Sequence, residues 1–185
     1  STLFNRLTGT RRAIVTAIPG TTRDVITQPV TWQGAEFAVT DTGGMFGASA
    51  DPLHALVLDR GRRAIADADL LVLVVDGREG VVPGDREIAR VLHEAGKPAL
   101  LAVNKTDDRR ARAGVLEFHQ LGVDPLFEIA AEHGEGIGDL LDAIVERLPR
   151  RLTTAGSDEE VAPHEPELPG HALQEVSVAI IGRPN

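Results

Sequence analysis

The segment Ala99–Asp107, ALLAVNKTD, joins a short apolar run to a polar loop. An apolar run of this length is typical of a buried strand, and the loop after such a strand faces the ligand crevice of an α/β sheet. A carboxylate at Asp107 could accept hydrogen bonds from N1–H and the exocyclic amine of guanine, a donor pair that adenine lacks. Asn104 could hold the loop and approach the acceptor edge of the base, and the aliphatic stem of Lys105 could lie against the ring. The loop therefore predicts guanine recognition, although a strand-to-helix turn with Asn and Asp as capping residues would look the same.

Strands and helices alternate on either side of this segment. The predicted helices have apolar residues at three- and four-residue spacing and cover 1–7, 53–65, 84–96, 109–121 and a stretch ending near Pro149. The predicted strands are apolar or alternating runs at 30–40 (a hairpin around Gly34), 70–75, 99–103, 125–129 and 176–181. This alternation predicts an α/β fold with a mostly parallel sheet and helices on both faces.

The bulk composition is that of an ordinary globular protein, with 42% hydrophobic and 25% charged residues. The net charge of −9 argues against a general nucleic-acid-binding surface. The sequence has no cysteine, which excludes disulfides and thiolate metal sites. The longest apolar runs are too short to span a bilayer, so we expect no membrane partner.

An acidic, proline-rich stretch divides the chain. Residues 150–173 include SDEE at 157–160 and several prolines, a composition that cannot build a core and predicts a linker. We therefore expect one folded unit at 1–149 and, after the linker, a new apolar strand within 174–185.

Two further polar loops precede the central strands. PGTTRD at 19–24 contains adjacent threonines that could offer a hydroxyl to a metal, although Pro-Gly alone would explain a turn there. DTGG at 41–44 places a carboxylate and two glycines at the end of a strand. A glycine N–H can approach a phosphate closely, and a turn that needs positive φ would also explain the glycines.

These loops, in this order, resemble those of Ras-type GTPases and specifically the Der (EngA) family of double-G-domain GTPases. The resemblance implies a Ras-like P-loop GTPase fold, GTP as substrate, GDP as product and Mg²⁺ as cofactor. Thr22 matches the switch I threonine, which binds Mg²⁺ and contacts the γ-phosphate. Asp41 matches the aspartate that holds Mg²⁺ through water, and Gly44 matches the glycine whose N–H senses the γ-phosphate. The resemblance thus makes Thr22 and Gly44 the catalytic candidates.

The base-reading loops match the same family. Asn104, Lys105 and Asp107 correspond to its guanine reader, and Ala130–Ala131 to the loop whose backbone N–H contacts guanine O6. Family members commonly carry Ser-Ala there, so Ala130 lacks a supporting hydroxyl while Ala131 keeps the N–H. By their place in the matched loops, Thr2, Thr42 and Gly43 are further nucleotide-binding candidates.

Both ends of the chain match parts of a phosphate loop. Ser1 matches the Mg²⁺-binding serine that ends the first loop, and Gly182, Arg183, Pro184 and Asn185 match the start of a second. The resemblance implies a fragment between the two loops, which would bind GTP poorly and barely hydrolyse it. We also expect Val176–Ile181, the homologue of the missing first strand, to fill the centre of the sheet, in cis or from a neighbouring chain.

Met45 stands where Ras has its water-orienting glutamine. Methionine cannot position a water by hydrogen bonding, so the chain resembles GTPases that use K⁺ for transition-state charge. In Der relatives the asparagine of the G-R-P-N sequence, which Asn185 matches, binds that K⁺ in part. The resemblance therefore implies K⁺ activation.

The resemblance implies a cytoplasmic GTPase that acts in assembly of the large ribosomal subunit, with the ribosome and its RNA as partners. Era-type and tRNA-modifying GTPases share the loops at 20–24 and 41–44, but the acidic linker that runs into a second Gly-Arg-Pro-Asn favours Der. Two other classes stay open: a non-hydrolysing G-domain scaffold, and an unrelated flavodoxin-like domain in which the Asn104–Asp107 loop is incidental.

Overall fold

Six strands form a single sheet in the computed structural model, which describes residues 2–9, 26–42, 63–149 and 176–182. The strands are Ile26–Trp32 (β1), Ala35–Asp41 (β2), Leu70–Asp76 (β3), Ala99–Asn104 (β4), Leu126–Glu128 (β5) and Ser177–Gly182 (β6). The helices are Thr2–Thr8 (α1), Pro83–Ala95 (α2), Arg109–Gly114 (α3) and Ile137–Arg147 (α4). A 3₁₀ helix spans Val115–Leu121, and residues 63–67 are also helical.

The predicted elements are found with small shifts of their ends, except for the helix at 109–121. That helix is α-helical only to Gly114 and continues as the 3₁₀ helix. Gly114 and the β-branched Val115 are poor helix formers, which accounts for the change at this point. Of the helix predicted at 53–65, residues 53–62 lie outside the described part of the chain.

The last strand of the chain lies in the middle of the sheet. The strand order is β1-β2-β6-β3-β4-β5, and only the β1–β2 pair is antiparallel. β6 pairs with β2 from Ala38↔Ser177 onwards and with β3 from Leu70↔Val178 onwards. The prediction that this segment fills the central position is confirmed. The linker at 150–173 lies outside the described residues, so the predicted domain division stays a prediction.

Helices cover both faces of the sheet, as predicted. Val178 and Ile180 of β6 belong to a buried cluster with residues of α1 and α4. Ala179 and Ile181 belong to a second cluster with residues of α2 and the 3₁₀ helix. Alternate residues of a strand point to opposite faces, so each face of β6 is packed against a different pair of helices. A strand buried on both sides is continuously apolar, and this is the pattern of the β6 sequence.

Gly136, which precedes α4, occupies a position that no other residue fits. Its φ is +68°, and a Cβ built there would lie 2.1 Å from the carbonyl oxygen of Glu128. We expect Gly136→Ala to lower the free energy of unfolding by more than about 1 kcal/mol, because strain and a backbone clash add together. The measurement is urea denaturation followed by circular dichroism.

Gly138 is a matched control two residues away. It lies inside α4, where an added Cβ would meet nothing within 4 Å. We expect Gly138→Ala to leave the free energy of unfolding unchanged or to raise it by up to about 1 kcal/mol. Equal losses in both variants would contradict the proposed constraint at Gly136.

Candidate nucleotide-binding site

The carboxyl ends of the parallel strands meet at one edge of the sheet. Asp41 ends β2, Asn104 ends β4 and Gly182 ends β6. Asp76, at the end of β3, lies opposite Asn104, and residues 130–136 follow β5. Ligands of open α/β sheets bind at this edge. The described part of the predicted site is therefore gathered where the fold places a ligand.

Asn104 connects the two loops that were predicted to read the base. Its side-chain Oδ1 accepts hydrogen bonds from the backbone N–H of Lys105 at 2.9 Å and of Ala131 at 3.0 Å. Lys105 adopts φ +67°, an uncommon value for a residue other than glycine, and its bond to Asn104 supports this turn. Asn104 thus holds the loop Asn104–Asp107 (the NKTD loop) against the loop 130–136 (the Ala130 loop).

The backbone N–H groups of Ala130 and Ala131 are already used within the protein. Ala131 N–H, predicted to contact guanine O6, donates to Asn104 here. Ala130 N–H donates to the carbonyl oxygen of Glu135 at 3.0 Å. A base carbonyl would therefore share the Ala131 N–H with Asn104 or replace that bond.

Thr106 is a structural residue of the NKTD loop that the sequence analysis missed. It is 3% exposed, and both its backbone N–H (3.2 Å) and its hydroxyl (3.0 Å) donate to the carbonyl oxygen of Ile129. Thr106 stands at the one position of the loop to which the guanine-reading pattern assigns no role, so no signal in the sequence pointed to it. Thr106 thus fixes the loop to the end of β5 between Lys105 and Asp107.

Asp108, rather than Asp107, caps the following helix. The Asp108 carboxylate accepts from the backbone N–H of Arg110 at 2.7 Å and of Ala111 at 3.2 Å. These two backbone hydrogen bonds are the main cause of the lowered pKa of Asp108, and the nearby Arg78 lowers it further. The capping role that the sequence left open thus belongs to Asp108, and Asp107 does not serve as the cap.

Ion pairs surround the NKTD loop. Asp107 Oδ2 lies 3.0 Å from Nη2 of Arg78 and 3.9 Å from Nε2 of His133. Lys105 Nζ lies 2.5 Å from Oδ2 of Asp76. The Asp107 side chain is 28% exposed, so its carboxylate is accessible from solvent despite these partners.

The end of β3 and the loop after it supply two of these partners and pack closely on the NKTD loop. Gly77 N–H donates to the carbonyl oxygen of Asn104 at 2.8 Å, and a Cβ at Gly77 would lie 3.0 Å from that oxygen. Arg78 N–H donates to Asp76 Oδ1 at 2.9 Å. Asp76, Gly77 and Arg78 follow an apolar strand just as the NKTD loop does, a signal that could have marked them in the sequence.

Of the residues predicted to bind the phosphates, the structure describes Thr2, Asp41, Thr42 and Gly182. Thr42 is fully buried, and its N–H (3.0 Å) and hydroxyl (2.8 Å) both donate to the carbonyl oxygen of Ile180. Both hydrogen-bond donors of Thr42 therefore tie the end of β2 to β6. Thr2 begins α1 and is exposed.

Eight predicted site residues lie outside the described part of the chain. They are Ser1, Thr22, Gly43, Gly44, Met45, Arg183, Pro184 and Asn185.

Arg6 of α1 supports the Ala130 loop and was also missed. Its Nε donates to the carbonyl oxygen of Ala131 at 2.8 Å, and its Nη2 donates to that of Glu132. This contact joins residues 125 positions apart in the sequence, so no local pattern could reveal it. Arg6 thus connects α1 to the Ala130 loop.

The residues at this edge fit a magnesium ion that is held mainly by phosphates. Among the described residues, no group of three or more His, Cys, Asp or Glu side chains could hold a metal by itself. Mg²⁺ usually keeps several waters and binds through one or two carboxylates plus substrate phosphates. Asp41 at the end of β2 is suited to be such a carboxylate.

Residues 1–105 match the family model described as 50S ribosome-binding GTPase. The chain belongs to this family. Over its whole length it is 42% identical to the GTPase Der of Syntrophotalea carbinolica and 42% identical to that of Aquifex aeolicus. It spans 39% of the length of each of these relatives. The predicted resemblance to the Der family is confirmed.

Solved structures of GTPases share the fold. A variant of Aquifex aeolicus Era bound to GDP and AlF₄⁻ superposes with a TM-score of 0.68 at 25% identity, covering 86% of this chain and 56% of Era. Era in complex with MgGDPNP and nucleotides 1506–1542 of 16S ribosomal RNA gives 0.67 at 25% identity, covering 88% and 55%. The predicted Ras-like P-loop GTPase fold is confirmed.

No helix within the described ranges combines the length and the apolar character needed to cross a bilayer.

Proposed function

We propose that this chain contains the guanine-reading part of a GTP-binding and GTP-hydrolysing protein that acts in assembly of the large ribosomal subunit. The observation that carries the proposal is the hydrogen bond of Asn104 Oδ1 to Ala131 N–H at 3.0 Å. This bond brings the two predicted base-reading loops together at the ligand edge of the sheet. It leaves the neighbouring Asp107 carboxylate partly exposed beside them.

The chemistry of Asp107 accounts for the choice of base. A carboxylate accepts hydrogen bonds only, and guanine presents two adjacent donors, N1–H and the 2-amine. Adenine presents an acceptor at N1, so it would leave the remaining acceptor positions of the carboxylate unfilled and face a repulsive contact. Each lost hydrogen bond to a charged group costs about 1.5–3 kcal/mol, which is enough for strong discrimination.

On the phosphate side, Asp41, Thr22 and Ser1 are the proposed holders of Mg²⁺, with Gly44 at the γ-phosphate. The ion neutralises phosphate charge when it is bound. Asp41 supports this assignment by its place at the end of β2, beside the central strand whose end carries Gly182. Gly43, Met45, Arg183, Pro184 and Asn185 complete the proposed phosphate and K⁺ surroundings by resemblance.

The ribosomal role rests on the relatives. The description of the matched family names the 50S ribosome, and the Der relatives match the whole chain at about two-fifths identity. An Era-type role is the second candidate because an Era structure with 16S ribosomal RNA shares the fold. The identity to Era, 25%, is lower than the 42% to the Der relatives, and this favours the Der role. With that role we propose the large subunit as the partner and the cytoplasm as the place of action.

The guanine assignment is tested by nucleotide binding to the full-length protein in the presence of Mg²⁺. We expect GTP and GDP to bind at least about 100-fold more tightly than ATP and ADP, because only guanine satisfies Asp107. The measurement is isothermal titration calorimetry, with competition by unlabelled ATP against a fluorescent GTP analogue. Equal affinities for GTP and ATP would reject the assignment.

The proposed use of K⁺ is tested by hydrolysis. We expect the turnover of GTP to be at least about tenfold faster in KCl than in NaCl at equal ionic strength, because Met45 has no hydrogen bond to offer the attacking water. GTP affinity in the two salts is the control for effects on binding. Equal turnover in both salts would reject the K⁺ role, and GTP binding without hydrolysis in either would favour the scaffold alternative.

A further inference from the structure

Two crossed ion pairs connect the segment Asp76–Arg78, at the end of β3, with the NKTD loop. Lys105 Nζ lies 2.5 Å from Asp76 Oδ2, and Arg78 Nη2 lies 3.0 Å from Asp107 Oδ2. Each segment thus provides one cation and one carboxylate to the other. The bond from Gly77 N–H to the carbonyl oxygen of Asn104 fixes the two segments through their backbones as well. Arg78 is therefore held at the side of the proposed base reader.

We propose that Arg78 is a positioning residue that holds the Asp107 carboxylate ready for guanine. This inference rests on the proposed function, since it assigns a supporting residue to the same base site. Arg78 donates to Oδ2 at 3.0 Å, and His133 approaches the same oxygen at 3.9 Å. A carboxylate has about four acceptor positions, so this arrangement leaves enough of them for both donors of guanine.

Orientation is what the contact with Arg78 supplies. Guanine must meet both carboxylate oxygens at once, so the plane of the carboxylate has to align with the plane of the base. A side chain that is already held in this orientation loses less conformational freedom when the base binds. The charged hydrogen bond from a guanidinium also compensates the carboxylate for the water that the base displaces.

Arg78 also separates two neighbouring negative charges. Its Nε lies 3.9 Å from Oδ2 of Asp108, while its Nη2 contacts Asp107. One guanidinium thus lies against two adjacent carboxylates, one of which caps α3. Because Arg78 is half exposed, solvent screens these contacts, and we expect an effect of about three- to fivefold in affinity.

The test measures the affinities of the full-length protein and its variants for GTP and ATP. Arg78→Ala is expected to weaken GTP binding about three- to fivefold and to leave ATP binding unchanged, because adenine does not use Asp107. The GTP affinity of Arg78→Lys is expected to lie between those of the unaltered protein and Arg78→Ala, since an ammonium keeps the charge but lacks the planar fork. In an Asp107→Ala background, the further change Arg78→Ala is expected to have no effect on GTP binding.

Arg90→Ala is the matched control. Arg90 of α2 pairs with Glu94 at 2.6 Å and is 65% exposed, so it is an arginine in a comparable solvent-exposed ion pair. Its removal is expected to leave GTP affinity unchanged.

Each other outcome rejects a defined part of the proposal. Tighter GTP binding in Arg78→Ala would mean that Arg78 competes with the base, and this would overturn the positioning role, as would unchanged GTP binding. An equal loss in the Asp107→Ala background would assign Arg78 to the fold rather than to the carboxylate. If the unaltered protein binds GTP and ATP equally, the proposed function itself fails, which the comparison of the two nucleotides reveals before any variant is made.

Discussion

Replacing Asp107 by asparagine is expected to shift the base preference of the full-length protein from GTP to XTP. The amide nitrogen of asparagine is a donor and would face the 2-amine of guanine, which is also a donor. Xanthine carries a carbonyl oxygen at this position, so the amide can pair with it while the amide oxygen still accepts from N1–H. We expect GTP affinity to fall on the order of 10²- to 10⁴-fold and XTP to become the preferred ligand.

The neighbouring carboxylate offers a close control for this experiment. Asp108→Asn makes the same chemical change one residue away, and asparagine keeps the ability to cap α3. Because Asp108 is occupied by the N–H groups of Arg110 and Ala111, we expect its variant to keep the preference for GTP. Competition binding with GTP, XTP and ATP measures all three proteins. A preference for GTP that persists in Asp107→Asn would exclude Asp107 as the base reader.

The sequence was sufficient to predict the elements and the edge of the sheet at which the site lies. Strands such as Leu70–Asp76 and Ser177–Gly182 are buried on both faces, so nearly every position is apolar and the pattern is unambiguous. The NKTD loop could be assigned because its residues are adjacent and follow such a strand. The central place of β6 followed from the resemblance, since the strand pattern alone does not specify its neighbours.

The residues that the sequence did not reveal act through contacts between distant segments. Arg6 reaches the Ala130 loop, and Arg78 reaches Asp107 across 29 positions, although neither lies in a pattern with its partner. Gly136 looks like any loop glycine until the carbonyl of Glu128 is placed beside it. The contacts of Arg6 and Arg78 depend on which segments the fold brings together, so they can be known only once the sheet order β1-β2-β6-β3-β4-β5 is known. The contact at Gly136 is local, but it depends on the conformation of the loop between β5 and α4.

The central strand gives the largest expected effect on stability. Ile180 is 2% exposed and lies between Asp41 of β2 and Val72 of β3. An aspartate at this position would bring an unpaired charge into the core, at a cost of several kcal/mol that is comparable with the whole free energy of unfolding of about 5–15 kcal/mol. We therefore expect the 185-residue chain with Ile180→Asp to be unfolded or nearly so, as measured by circular dichroism, urea denaturation and limited proteolysis.

Two further variants separate the effect of the central position from that of the substitution itself. Leu116 is 78% exposed, so Leu116→Asp introduces the same charge at the surface and is expected to change the free energy of unfolding by no more than about 0.5 kcal/mol. Ile180→Val removes one buried methylene group and is expected to cost about 0.5–1.5 kcal/mol.

If β6 comes from the same polypeptide, the urea midpoint of the unaltered chain should not change with protein concentration, whereas a strand exchanged between two chains would make it rise. A chain carrying Ile180→Asp that unfolds at the same urea concentration as the unaltered chain would contradict the central placement of β6, because a strand buried on both faces could not accept that charge.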